Sequence, residues 1–482
     1  MRVKPGHPRE MLDFLDRVQS HAITCGPMLE RTKWGAGARG RRRRWAVATL
    51  LAAATVAALV PVSAEAQKTG GWTRKRKLAP GVVFTKIKDP KGPWRIFILS
   101  VRPDKAATID TVLAGDQLAG FERTSSMSGR SGAIAAFNGD YATGVGRPVH
   151  TFARDGFLDQ SETSWGRNFS MDAGKTASYM GHPQLVATLR DTVTGLVTSI
   201  KRVNNGAPGS KQVNMYTPAG RDIELPPKFA CSARLYPIER PRLNEGGTGI
   251  ESFHTVDTVK CRNRRLGRQG GVVVATPING NRAGEISQIV PGQQVALSWS
   301  LGWPGVFDTI GGNPVIVSDG RIVWEDVNGN TPFHNRNPRT GVGVTVDGRV
   351  LLIAVDGRQP GYSKGMTLRQ FARLFQNNGA VDALNLDGGG STTVVINGKI
   401  KNRPSDGHER SVSSALVVLP GPDPGEQAPQ ASESTVGGAG AGAWSDASTD
   451  PGSTGGLAAY LRAETGRVPR SLRAAERAFT AD

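Results

Sequence analysis

The residues best suited to move protons or hold anions fall in four short polar segments: His334-Asn335-Arg336-Asn337-Pro338-Arg339-Thr340, Asp356-Gly357-Arg358, Asp387-Gly388-Gly389-Gly390-Ser391 and Arg403-Pro404-Ser405-Asp406. Each adjoins a strand-like run. A single Asp-Gly is ordinarily a turn and nothing more. Three consecutive glycines between strands cost backbone entropy and are expected where a backbone must come close to a ligand. No GK[ST] follows them and their spacing is not a dinucleotide fingerprint, so neither phosphate-loop class applies. Exposed N–H groups in such a turn can still cradle an anionic oxygen. Arg336, Arg339, Arg358 and Arg403 would add forked donors suited to phosphate or carboxylate, although each taken singly reads as a surface arginine. A fifth polar turn, Asn138-Gly139-Asp140-Tyr141, ends the short buried-type strand from Ala133 to Phe137, a usual position for a site.

The elements that must position these residues are most legible after Gly311. Val315–Val317 and Arg321–Trp324 flank Asp319-Gly320, Val342–Val346 and Val350–Val355 flank Asp347-Gly348, and Thr392–Ile396 and Lys399–Asn402 flank Asn397-Gly398. Each pair reads as a hairpin, the first two with a type I′ turn. Between the second and third lies a helix over 367–377. Thr367 and Gln370 form a capping box, Leu368, Phe371, Ala372 and Phe375 make one apolar stripe, and Asn378-Gly379 stops it. A strand over 349–355, this helix and a strand over 383–386 read as a βαβ unit, which puts Asp356 and Asp387 at the same sheet edge. Earlier strands are expected at Val82–Phe84 and Trp94–Val101, and residues 180–300 read as β-rich, with a long basic loop from Lys228 to Arg268. The fold class expected from this pattern is α+β or mixed α/β: a mixed sheet with hairpins and a packed amphipathic helix, plus a β-rich insertion.

The ends of the chain read differently from its middle. Arg41–Arg44, the apolar run Trp45–Val62 and Ala64-Glu65-Ala66 follow the order of a secretory signal, with cleavage expected after Ala66. If uncut, the apolar run is close to long enough for a membrane anchor. Past Leu419 the Pro, Gly and Ser content marks a flexible tail, 420–482, with a short helix expected over Leu457–Ala478. The expected organisation is therefore 1–66 extension and signal, 67–130 lead-in strands, 131–419 main domain with the insertion at about 180–300, and 420–482 tail. Of three cysteines only Cys231 and Cys261 follow the cleavage site, and in an oxidising compartment they are expected to pair. Neither belongs to a CxxC pair, which argues against zinc or thioredoxin chemistry. The net charge of +19 falls to +13 for 67–482 once the 11 basic and 5 acidic residues of 1–66 are set aside. Such a surface favours anionic partners, but no zinc finger, RRM signature or basic aromatic-interleaved helix accompanies it, so nucleic acid is not expected.

The stretches Ile310–Gly320, Asn337–Gly343, Val355–Ser363, Leu384–Thr392 and Asn402–Asp406 resemble, in order, the successive motifs of the phosphodiester glycosidase domain family. The resemblance runs from about 133 to 418, sharp after Ile310 and vague over 180–300. Where that family often has Asn-Gly-Gly-Phe-Phe, this chain has Asn138-Gly139-Asp140-Tyr141, so Asn138 and Gly139 carry over and Asp140 matches less well. The resemblance implies a hydrolase of a sugar-1-phosphodiester; with the signal sequence and the departures from the family pattern, the expectation is a secreted enzyme, without a cofactor, acting on a phosphate-bearing envelope or extracellular glycan. Cleaving a sugar C1–O–phosphate bond passes through an oxocarbenium-like state, which calls for a carboxylate and for cations on the departing phosphate. Asp387, Asp356 and Asp140 are the carboxylate candidates. Arg336, Arg339, Arg358 and Arg403 are candidates for the phosphate, with Asn138, Thr340, Gly388, Gly389, Gly390, Ser391 and Asp406 in the binding set and His334 as a proton carrier. A non-catalytic binder of anionic wall polysaccharide would keep the arginines and tolerate loss of the aspartates. A metal-dependent phosphodiesterase using the same aspartates would want an HxH or HxxxH pair, and the sequence has none.

Overall fold

The computed structural model describes residues 70–103, 107–162, 166–221, 223–324 and 333–421. The signal sequence, the apolar run Trp45–Val62 and the tail helix lie outside these residues. Among the described residues no helix is long and apolar enough to cross a membrane.

The site is carried by an eight-stranded sheet in the order Trp72–Ala79, Val82–Asp89, Trp94–Val101, Val350–Val355, Arg339–Thr345, Ala380–Asn385, Val315–Ser318, Arg321–Ile322. The strands over 67–130 thus belong to the same sheet as the candidate residues: Trp94–Val101 pairs directly with Val350–Val355. Val350–Val355 is buried at every position, because apolar layers cover both faces. One face meets Phe137, Phe152, Phe169 and Ile310 from two five-stranded sheets. The other receives the helix Leu368–Asn377, whose Leu368, Phe371, Ala372 and Phe375 are all fully buried against Ile353, Val355 and Ala383. The capping box is formed: Thr367 Oγ1 accepts from Gln370 N at 3.3 Å and Gln370 Oε1 accepts from Thr367 N at 3.1 Å.

Residues 186–300 build a closed structure that packs on Ala153, Leu158, Val306 and Phe307. Seven strands, Ala230–Pro237, Val272–Pro277, Val213–Tyr216, Val197–Val203, Val186–Asp191, Gln294–Ser300 and Ile250–Arg262, close into a barrel because the first also pairs with the last. Leu189, Val213, Leu235, Val256, Val274 and Leu297 fill its interior.

Two expectations are corrected here and a third below. The fold is mostly β, with 47% of the described residues in strands and 9% helical, and not α+β or mixed α/β. Many short strands, their alternation masked by burial on both faces, surround one strongly patterned helix. The parallel course expected of Val350–Val355 and Ala380–Asn385 is found, with Arg339–Thr345 between them and antiparallel to both. Second, the hairpin at Asp347-Gly348 turns through three residues. Only Gly348 has a positive φ, 74°, and Gly348 N donates to Thr345 O at 2.9 Å, the type I turn with a glycine bulge. Asp319-Gly320 and Asn397-Gly398 do have positive φ at both positions, as type I′ requires.

The stretch 228–268 is largely paired strand, not loop. Within it Cys231 and Cys261 sit directly opposite each other on antiparallel neighbours and are disulfide-bonded. Closing a 30-residue separation stabilises by roughly 3 kcal/mol on the chain-entropy account. Replacing both cysteines by alanine is therefore expected to lower the urea midpoint by an amount equivalent to roughly 3 kcal/mol, with no change in the sheet that carries Asp387. Equal midpoints would show that barrel closure alone holds these strands.

Candidate active site

Asp356 and Asp387 follow strands that run in the same direction, so both emerge at one sheet edge, and Arg339 opens the antiparallel strand between them. From the neighbouring sheet the strand Ala135–Asn138 delivers its polar turn to the same edge. Asn138 is fully buried and ties four segments together. Its Nδ2 donates to Asp387 O at 2.7 Å, and its Oδ1 accepts from Thr340 Oγ1 at 2.8 Å and from Thr393 N at 3.1 Å. Asp387 N donates to Gly139 O at 3.1 Å. Asn138 and Thr340, expected to bind substrate, spend their polar groups on positioning Asp387.

The three carboxylates occupy different surroundings. Asp356 is 1% exposed. It accepts from Asn402 Nδ2 at 3.1 Å on Oδ1, and from Tyr362 Oη and Arg403 N, both at 3.0 Å, on Oδ2. Burial raises its pKa to about 6 against these hydrogen bonds. Asp140 is equally buried and accepts from Tyr141 N at 2.7 Å and His150 N at 2.9 Å, with His150 Nδ1 at 2.6 Å. Burial alone would depress the His150 pKa, but the Asp140 carboxylate outweighs it and holds the imidazole above its usual value. Asp387 alone is only half-buried. Desolvation raises it to about 6, partly offset by hydrogen bonds from Ser391 and Gly388 N and by the charge of Arg410, while Asp140 pushes it up.

The glycines of 388–390 are explained by the protein around them. A Cβ on Gly388 would lie 2.7 Å from Pro338 O, and one on Gly390 would lie 2.1 Å from Asp406 Oδ2 and 2.2 Å from Arg410 Nη2. Gly389 has φ 59°, and its missing Cβ leaves room for the Arg358 guanidinium, whose Nη2 stands 3.1 Å from that position. Two cations therefore bracket the Asp387 turn. Arg358 itself has φ 58°, costly for a non-glycine residue, and donates Nε to Asn337 Oδ1 at 2.9 Å. Arg410 grips Asp406 through Nη2 at 2.6 Å.

The remaining arginines divide. Arg339 is 4% exposed and donates to backbone carbonyls of Met366, Phe333 and Asn335 at 3.0, 3.1 and 2.7 Å, so it holds the 333–338 segment. Arg336 is exposed, and Arg403 is exposed with its guanidinium 5.4 Å from the Tyr362 ring centre. The His334 ring lies 5.7 Å from that of Trp324.

Sequence reasoning missed Tyr141, His150 and Arg410. Tyr141 Oη donates to Asn313 O at 2.8 Å and accepts from Asn385 Nδ2 at 2.7 Å. Burial, then the charge of Asp387, raise its pKa well above the ordinary phenol value. Tyr141 stood in the polar turn but has a residue type common in cores. His150 lies ten residues beyond Asp140, and only the folded loop brings them together.

Residues 253–419 match the phosphodiester glycosidase family model. The match takes in Asp356, Arg358, Asp387 with its glycines, and Arg410, and leaves out the turn at Asn138. Two curated relatives show similarity over short stretches. The SPbeta prophage-derived uncharacterized protein YomE of Bacillus subtilis is 38% identical over 95 residues, 20% of this chain and 14% of that protein. The mouse N-acetylglucosamine-1-phosphodiester alpha-N-acetylglucosaminidase is 40% identical over 68 residues, 14% of this chain and 13% of the enzyme. The chain thus covers about one seventh of the length of either. Among solved structures, a Burkholderia pseudomallei protein described as exported shares the fold, with TM-score 0.50 and 18% identity over 73% of this chain and 97% of that one.

Proposed function

We propose that this protein is an exported hydrolase that cleaves the bond between a sugar anomeric carbon and a phosphodiester oxygen in an envelope or extracellular polysaccharide. The phosphodiester glycosidase match indicates glycosidase chemistry on phosphodiester-linked sugars. The observation that carries the reading on this chain is Asp387: a half-buried carboxyl of raised pKa, bracketed by Arg358 and Arg410, while Asp356 and Asp140 have both oxygens engaged. Ionised Asp387 meets the anomeric carbon as positive charge develops there, directly or through a water it deprotonates. The C1–O bond breaks, its electron pair leaves with the phosphate, and the guanidiniums of Arg358 and Arg410 neutralise that oxygen in place of a proton donor. Water's oxygen ends on the sugar. Burial and the nearby Asp140 carboxylate keep the Asp387 pKa raised, and burial and Asp387 in turn raise that of the Tyr141 phenol. The catalytic unit then takes in the strands Trp72–Val101 and Ala107–Leu113 together with 131–419, and the barrel is an insertion in it. The disulfide supports an oxidising compartment.

The test is release of free sugar from a panel of sugar-1-phosphodiesters by protein lacking residues 1–66. Because Asp387 acts ionised with a pKa of about 6, kcat/KM is expected to fall about tenfold per pH unit below that point. It should level off above it. A profile that falls with rising pH through the same region would make Asp387 an acid and overturn this assignment.

A further inference from the structure

The amino-terminal hairpin carries four consecutive exposed basic residues. Strand Trp72–Ala79 is a sheet edge with Arg74, Lys75, Arg76 and Lys77 in succession, all exposed. Directly opposed residues of antiparallel neighbours share a face, and the register Arg74↔Lys86↔Phe97 and Trp72↔Lys88↔Arg95 puts Arg74, Lys86, Lys88 and Arg95 on one side. Arg76 lies two residues on, on that same side, and Lys75 and Lys77 point to the other. Among the described residues none of these seven forms an ion pair. The second row does not stop at Arg95: Asp356 N donates to Arg95 O at 3.0 Å, so the row runs on into the edge where Asp356 emerges.

Contacts join the cationic face to that edge. Lys86 Nζ donates to Lys401 O at 3.2 Å, and its pKa is lowered by burial and by Arg95, Lys401 and Arg74, against the pull of Asp356. Arg95 and Arg403 both lie over the Tyr362 ring, at 4.7 and 5.4 Å, and Tyr362 Oη donates to Asp356. Like charges held this close, outnumbering the Asp356 carboxylate near them, are unfavourable until a further anion joins them. The face spans the width of three strands, roughly 10 Å, which is wider than one phosphate and suited to a chain of them.

We propose that this face docks the polyanionic part of the substrate, a polymer of repeating phosphodiesters whose scissile bond reaches Asp387. The proposal rests on the hydrolase reading for its second half only. The cluster holds the chain by its repeated charges, and sugar identity is left to the Asp387 edge.

The experiment compares two double variants with the same loss of charge on the same strand, Arg74→Ser/Arg76→Ser and Lys75→Ser/Lys77→Ser. Binding of a defined poly(glycerol phosphate) is measured by titration over a range of salt, with duplex DNA of equal charge as a second probe. The first variant is expected to bind the polymer about tenfold more weakly, with a log–log salt slope smaller by about one to two, and the second to match the unaltered protein. Equal weakening by both would reduce the effect to net charge and overturn the proposal, as would no effect from either. Tighter, equally face-dependent binding of DNA would overturn the choice of partner. Sugar release from a small sugar-1-phosphodiester by unaltered protein is followed in parallel. Its absence, with face-dependent polymer binding intact, would remove the hydrolase reading and leave the docking face standing.

Discussion

Asp387→Asn is expected to reduce sugar release by a factor of about 10³ or more, the scale on which a positioned carboxylate contributes, while leaving binding of an anionic glycan within about twofold. Asn keeps an oxygen for Gly388 N, which donates to Asp387 Oδ1 at 2.9 Å, so the turn has no reason to collapse. The same change should make the protein more stable at neutral pH. A carboxyl raised from 3.8 to about 6 by burial binds more protons folded than unfolded between those values. Stability therefore falls as pH rises from about 4 to about 6 and stays low above. Asparagine never ionises, so above pH 6 the variant should gain about 1 to 2 kcal/mol, and below pH 4 nothing. Turnover unchanged in a folded variant would sink the catalytic role and favour a binding protein. A stability gain without pH dependence would show that the surroundings do not raise the carboxyl's pKa.

Gly311→Ala should have the largest effect on stability. A Cβ there would lie 2.1 Å from His150 Cβ and 2.5 Å from Cγ, a collision with the root of a buried side chain that no rotamer change relieves. An overpacked core site of this kind costs about 3 kcal/mol. His150 would be forced off Asp140, so the remaining folded protein should also lose activity. Gly267→Ala is the control: nothing lies within 4 Å of its added Cβ, and a change within about 0.5 kcal/mol is expected. Urea midpoints of the two variants measure the difference directly, and comparable values would mean that the strand Val306–Gly312 can move away from His150.

Gly311 and its neighbour Gly312 show what a sequence can and cannot display. Gly311 and Gly312 were visible as part of a motif, but the reasons for them were not. Gly311 makes room for His150, and a Cβ on Gly312 would lie 2.5 Å from Asn385 O; both neighbours are distant in the chain. The same holds for Gly388–Gly390, where a ligand was expected and the close neighbours are Pro338, Arg358, Asp406 and Arg410. Local signals are the most legible, although the turn at Asp347-Gly348 differs from the type I′ expected. The helix was found with its capping box and buried stripe because 3.6-residue periodicity and caps are written in consecutive residues. The shared edge of Asp356 and Asp387 followed from strand direction, which survives an unseen strand between them. Closure of the barrel was not legible, since it depends on Ala230–Pro237 meeting Ile250–Arg262 and Val272–Pro277 at once, and nothing local to those strands names two partners. Roles were harder still. Asn138, Thr340, Arg339 and Asp356 are polar residues of site-like type whose hydrogen-bonding capacity is directed at the protein itself.

The barrel has one more property that follows from its register. Val186 and Ser300 are paired partners on neighbouring strands, and Gln184 N donates to Leu301 O at 2.8 Å. The chain therefore leaves the site-bearing sheets and returns to them at a single point, like a bead hung on a closed loop of thread. For the host such an excursion is one loop closure whatever its length, a cost that grows only slowly with the residues enclosed. A change of length inside the barrel therefore leaves its entry and exit strands at the separation their own pairing sets, and with it the spacing of the strands beneath the Asp387 edge.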